Sequence, residues 1–162
     1  MKQEDAILLI RNAISNTKPQ RWADLGSGSG TFTLALNAIL PAGSQIIAVD
    51  QRTQNLPVEF IKADFEKDEL PLTGLDGILM ANSIHYIRDK ERLIKKLEAY
   101  FVNQPTFLIV EYETTRVNPW VPYPISFHNL NNLFSDLGYH NIPRLGEIPS
   151  RFGGDMYAAL IR

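Results

Sequence analysis

The chain of 162 residues contains no cysteine. That excludes a disulfide framework, a thiolate zinc site, a cysteine nucleophile and a cysteine-held iron–sulfur cluster. Long apolar runs are missing too. No stretch approaches the ~18 consecutive apolar residues of a membrane-crossing helix. Positive charge is not in excess: 16 Lys and Arg stand against 18 Asp and Glu, a net charge of -2. Phosphate binding needs concentrated positive charge, so no nucleic-acid partner is expected, and no membrane partner either. The opening segment MKQEDAILLIRNAIS places acids before a short apolar run. A secretory signal starts basic, so the expected location is cytoplasmic. Repeats and low-complexity segments are also absent.

What is present is an alternation of helical and strand patterns. The length predicts a single domain over residues 1–162, with an N-terminal helical segment in 1–20 and a core in 21–162. Ala6, Ile7, Ile10, Ala13 and Ile14 fall at helical spacing over residues 4–15. Strands are expected at Arg21–Leu25, Ile46–Val49, Val58–Lys62, Leu75–Ala81 and Thr106–Tyr112. Helices are expected at Thr31–Leu40, Asp89–Phe101 and Ser126–Leu137, with Ser126 as N-cap and Gly138 past the end. Two final strands, about Ile142–Ile148 and Met156–Arg162, flank Gly153-Gly154 as a hairpin. Alternating strands and helices predict an α/β three-layer sandwich: a seven-stranded, mostly parallel sheet with the last strand antiparallel.

The segment Trp22-Ala23-Asp24-Leu25-Gly26-Ser27-Gly28-Ser29-Gly30-Thr31 follows a strand and opens a helix. That is the setting of a ligand-binding glycine turn. Gly26 permits the tight turn, Gly28 permits close approach of a ligand, and Gly30 permits helix–strand packing. The helix N-terminus favours an anionic group. Asp50 ends the next strand near the ~20-residue offset of a ribose-binding acid. The spacing is G-x-G-x-G, and Thr31 stands where the dehydrogenase fingerprint needs Gly or Ala. Asp24 precedes the first glycine, where its charge would repel a pyrophosphate and suit an ammonium.

From Arg21 to Arg162 the sequence resembles the class I (Rossmann-like) S-adenosylmethionine-dependent methyltransferases, and ADLGSGSG is similar to their first motif. The resemblance implies S-adenosylmethionine as cofactor. Asp24, Gly26, Ser27, Gly28 and Gly30 would hold its methionine end. Asp50 and Gln51 would hold the ribose, and Asp64 with Phe65 the adenine. Met80-Ala81-Asn82-Ser83-Ile84-His85-Tyr86-Ile87 resembles the fourth motif of the small-molecule branch, with Asn82 toward the cofactor. His85 and Tyr86 are the catalytic candidates on the methyl-transfer face. Glu111, Trp120, Tyr123, His128 and Arg151 are candidate substrate contacts, the aromatics from a proline-rich loop. The Asn/Asp-Pro-Pro-aromatic signature of amino-methylating enzymes is absent at Asn82-Ser83-Ile84-His85.

Methyl transfer from a sulfonium is an in-line displacement with a neutral leaving group. Catalysis then rests on holding the reacting atoms ~3–3.5 Å apart, and a base is needed only if the acceptor loses a proton. No metal is demanded. The missing cysteines exclude radical S-adenosylmethionine chemistry and methylation through a cysteine adduct. The expected function is methyl transfer to a small molecule. The alternatives are a non-catalytic S-adenosylmethionine- or S-adenosylhomocysteine-binding accessory protein and, more remotely, an NAD-dependent oxidoreductase. One feature departs from the pattern: the link from Asp50 to Val58 is too short for the usual crossover helix. One sheet face is therefore expected to be thinly covered unless the N-terminal helix, or the second subunit of a homodimer, lies over it.

Overall fold

Seven strands form one mixed sheet in the computed structural model, which describes residues 1–150 and 152–162. In chain order the elements are α1 (Gln3–Ile10), β1 (Arg21–Leu25), α2 (Thr31–Ile39), β2 (Gln45–Asp50), β3 (Glu59–Lys62), β4 (Gly77–Ala81), α3 (Lys90–Leu97), β5 (Phe107–Tyr112), α4 (Phe127–Asp136), β6 (Arg144–Pro149) and β7 (Asp155–Ile161). The strand order is β3-β2-β1-β4-β5-β7-β6. Pairings through β3, β2, β1, β4 and β5 are parallel, and β7 runs antiparallel to both β5 and β6. This is the expected class I methyltransferase fold.

The central strands are apolar on both faces because helices lie on both sides. One core contains Leu25, Ile47, Ile78, Met80, Phe107 and Ile109 beneath α3 and α4. The other contains Trp22, Ile46, Leu79, Leu108 and Val110 beneath α1 and α2. The amphipathic α3 buries Leu93, Ile94 and Leu97, and its N-cap Asp89 accepts a hydrogen bond from the Arg92 amide at 3.0 Å. Ser126 caps α4 as expected, accepting from the Asn129 amide at 3.4 Å.

Two helix ends and the placement of the first helix differ most from the sequence expectation. The first helix ends at Ile10, although Ala13 is still buried, so apolar spacing outlasts the helix. The helix beginning at Lys90 tightens into a 3-10 turn at Glu98–Tyr100, where the Tyr100 hydroxyl and carbonyl receive the amides of Leu70 and Leu75. The N-terminal helix does not lie over the β2–β3 end. It packs on α2 and across β6, where a Cβ at Gly146 would stand 3.1 Å from the Leu9 carbonyl oxygen. That close approach favours a glycine. The β2–β3 link contains no helix, and β3 has no fully buried residue.

Candidate functional site

In the parallel part of the sheet the chain order reverses on either side of β1, which pairs with β2 and β4. Ligands of open α/β sheets bind at the carboxyl ends of the strands beside such a reversal. A cavity of about 720 Å³ opens there, within the usual ~300–1,000 Å³ of a small-molecule site. Asp24, Gly26, Ser27, Gly28, Asp50, Gln51, Asp64, Phe65, Asn82 and Tyr86 line it.

The glycine turn is fixed by sterics. Gly26 has φ +80°, and a Cβ there would stand 2.6 Å from the Ser83 Cβ. Gly28 has φ +50° and open space where its Cβ would be, which leaves room for a ligand against the backbone. Gly30 does not serve helix–strand packing as expected. Its missing side chain makes room for Leu56, from the link that replaces the crossover helix.

The two acids of the turn differ. Asp50 is satisfied: its Oδ2 accepts from the Gly28 amide and its Oδ1 from the Arg52 amide, both at 2.9 Å. The amide of the turn thus binds the protein's own carboxylate, where a dinucleotide's pyrophosphate would need it. Asp24 is only 1% exposed. Its Oδ2 accepts from the Thr33 hydroxyl at 2.6 Å, whereas its Oδ1 has no partner. Burial pushes its pKa up to about 7; the Thr33 hydrogen bond opposes this and the Asp50 charge adds to it. Such a group is stabilised by an incoming cation. Ser27 Oγ and Asn82 Oδ1 are also buried without partners. The methionine end of S-adenosylmethionine carries an ammonium, a donor for the Asp24 and Asn82 oxygens, and a carboxylate, an acceptor for the Ser27 hydroxyl, so the residues present fit it.

Asp64 shapes its own loop, accepting from the amides of Glu66 at 3.0 Å and Lys67 at 3.3 Å. Phe65 is 8% exposed and gives the cavity an apolar wall. Asn82 is left-handed at φ 54°, the only non-glycine with positive φ among the described residues. Asparagine tolerates that conformation better than most residues. Its amide donates to the Val110 carbonyl at 2.8 Å, and the next residue, Ser83, donates its hydroxyl to the Leu25 carbonyl at 2.7 Å. Thr33 and Ser83 were not singled out from the sequence. The first-turn position of Thr33 on α2, above Asp24, was the available signal.

The acceptor side differs from expectation. Tyr86 lines the cavity, but His85 does not. The imidazole of His85 is buried at 2% exposure, with Nδ1 2.8 Å from Glu111 Oε2. Glu111 does not face the site as a substrate contact. It is fully buried, on the strand face it shares with Phe107 and Ile109, because side chains alternate along a strand. Trp120 is 75% exposed on a turn closed by reciprocal Asn118–Val121 backbone bonds, and it does not line the cavity. Tyr123 is held outside the cavity, its amide on the His85 carbonyl and its ring against the Lys90 ammonium. His128 is on the outer surface of α4, 3.2 Å from the Asn132 side-chain nitrogen. Arg151 lies outside the described residues.

Comparison with known proteins agrees with this geometry. Residues 23–102 match a methyltransferase domain. Over 149 residues the chain is 20% identical to the ubiquinone/menaquinone biosynthesis C-methyltransferase of Cronobacter sakazakii, covering 83% of this chain and 55% of that protein. The chain thus spans about half the length of this curated relative. Among solved structures, a Leishmania major S-adenosylmethionine-dependent methyltransferase matches with TM-score 0.76 at 18% identity, over 99% of this chain and 72% of that one. The Burkholderia thailandensis 1,6-didemethyltoxoflavin-N1-methyltransferase, solved with its substrate and S-adenosylhomocysteine, matches with TM-score 0.73 at 16% identity, over 98% and 76%. The glycine turn, the strand order and the matched domain agree: the chain has the class I methyltransferase fold, carries a methyltransferase domain over residues 23–102 and is similar to proteins whose cofactor is S-adenosylmethionine.

Proposed function

We propose that this chain transfers a methyl group to a small-molecule acceptor by direct in-line displacement. The observation that carries the reading is Asp24: a buried carboxylate with one unpartnered oxygen on the wall of the cavity. Nature retains an unsatisfied buried acid at a cost of ~1–3 kcal/mol only where something compensates for it. S-adenosylmethionine, when bound, supplies an electrophilic methyl on a sulfonium.

The remaining work falls to the chain. Asp24 and Ser27 hold the methionine end, and the open space at Gly28 lets it lie against the backbone. Asp50 already accepts two backbone amides, so its orientation is set before the ribose arrives, and Gln51 lies beside it. Phe65 offers a flat apolar surface to the adenine, and the Asp64 turn keeps that ring in place. Tyr86 faces the transfer end of the cavity, so the acceptor enters there. Orienting two partners in one cavity contributes most of the rate. The nicotinamide reading loses support because Asp50 occupies the Gly28 amide.

Titration calorimetry tests this. Saturable binding of S-adenosylmethionine and S-adenosylhomocysteine, with none of NAD, is the expected result; NAD binding alone would overturn it. Asp50→Ala should weaken cofactor binding by roughly 10- to 100-fold, the loss of two partly solvated hydrogen bonds at about 0.7–1.4 kcal/mol each. Unchanged affinity removes the ribose assignment. Turnover across a panel of metabolites separates an enzyme from an accessory binder.

A further inference from the structure

The buried imidazole of His85 has one nitrogen secured and the other orphaned. Glu111 grips this residue twice, accepting from the His85 backbone amide at 3.2 Å through Oε1 and contacting Nδ1 at 2.8 Å through Oε2. A carboxylate only accepts, so Nδ1 carries the proton and Nε2 holds a free lone pair in the neutral ring. Nε2 is buried with no partner. The Tyr86 ring packs against the imidazole, with ring centroids 4.4 Å apart at 51°. Tyr86 lines the cavity and is 55% exposed, so little packing holds its ring in place. A second tyrosine, Tyr112, has its ring centroid 5.9 Å from that of the imidazole.

We infer that His85 Nε2 is a latent proton acceptor, uncovered when Tyr86 swings aside, and that it suits a methyl acceptor bearing an O–H group. Glu111 is its positioning residue. The inference rests on the methyl-transfer reading and deepens it. In the step, the acceptor oxygen forms the C–O bond with one of its electron pairs while its O–H proton passes to Nε2. The broken S–C bond leaves its electron pair on sulfur, which becomes a neutral thioether. The imidazolium so formed is neutralised by Glu111, and the proton then passes to water. An acceptor that loses no proton has no use for this arrangement.

Carbethoxylation by diethyl pyrocarbonate, read by mass spectrometry at each histidine, tests it without turnover. His128 and His140 are exposed and serve as internal references. In the wild type His85 should react more slowly than both by at least roughly an order of magnitude, as expected for a site reached by local opening. Tyr86→Ala should bring it to their rate, and Tyr86→Phe should leave it protected. Protection that persists in Tyr86→Ala would overturn the cover. In Tyr86→Ala, phenol should slow the reaction at His85, while anisole, of similar shape without the proton, should not; equal protection by both, or by neither, overturns the O–H assignment. Adding Glu111→Gln to Tyr86→Ala should slow the reaction at His85 several-fold with His128 and His140 unchanged. An unchanged His85 rate removes Glu111 from its role. Should that variant not fold, the ring nitrogen shifts of wild-type His85 decide: an Nε2–H tautomer overturns the proposal. Failure of the methyl-transfer reading appears separately, as absent cofactor binding in calorimetry.

Discussion

The donor end and the acceptor end of the cavity handle polar groups in opposite ways. Around the glycine turn, Asp24, Ser27 and Asn82 each leave a buried oxygen unpaired. Beyond β4 and β5, carboxylates are partnered inside the protein: Glu111 by His85, and Glu113 by Arg144 at 3.1 Å and by the Phe127 amide at 3.1 Å. Lys90 donates to the carbonyls of Ile87 at 2.8 Å and Tyr123 at 2.9 Å. One end leaves three oxygens unfinished without a ligand, and the other is braced against itself except at His85 Nε2. On the proposed reading, a ligand gains more affinity per contact at the donor end, and the acceptor end selects by shape.

The widest split between the two ends should come from Asp24→Asn. Loss of the carboxylate should weaken cofactor binding by roughly 100-fold, the value of a charge-assisted hydrogen bond in a buried site. Calorimetry reads this directly. The same substitution should raise the melting temperature of the ligand-free protein at pH 8. The folded state holds the Asp24 proton up to about pH 7, whereas an unfolded chain releases it near pH ~4. Stability from this group is therefore lost as pH rises between those values, and a neutral amide escapes the loss. A variant that binds as tightly as the wild type would erase the contrast.

A smaller effect is the pH dependence of the wild type. Binding of a cationic amino group needs Asp24 ionised, so cofactor affinity should be level above about pH 7 and fall below it. The expected slope is roughly tenfold per pH unit. A flat profile from pH 5 to 8, measured by calorimetry, would show that Asp24 does not meet the ammonium. The smallest effect belongs to the acceptor-side surface. Trp120→Ala should leave cofactor affinity unchanged and alter stability by less than about 0.5 kcal/mol, as for an exposed residue away from packed features. Chemical denaturation and calorimetry together check this. A large loss of cofactor affinity would show that the loop reaches the donor end.

Much of the fold was legible because its signals are local. Ile46–Val49 is continuously apolar as a two-sided buried strand must be, and Asp24, the three glycines and Asp50 lie close together in sequence. The acceptor end depends on contacts between distant segments. His85 and Glu111 meet across β4 and β5, and end-of-strand reasoning placed Glu111 toward the ligand. The alternation along β5 already put it on the face of Phe107 and Ile109. Trp120 and Tyr123 read as pocket residues because they are aromatic and near a strand end. The Asn118 side chain accepts from the Trp120 and Val121 amides at 2.9 Å and turns that loop outward. The 3-10 ending of the α3 region was illegible because its cause is remote: the Leu70 amide bonded to the Tyr100 hydroxyl at 3.0 Å.

The missing crossover helix has a practical consequence. Between β2 and β3 the backbone is largely exposed and without regular structure, and it contains Arg52 on the rim of the cavity. Proteases nick such segments first. Trypsin should cut after Arg52 readily in the empty protein and slowly once the neighbouring Asp50 is engaged by a ligand. The chain thus carries its own occupancy gauge: the ratio of two fragments to intact protein on a gel measures how full the site is, before any acceptor is known.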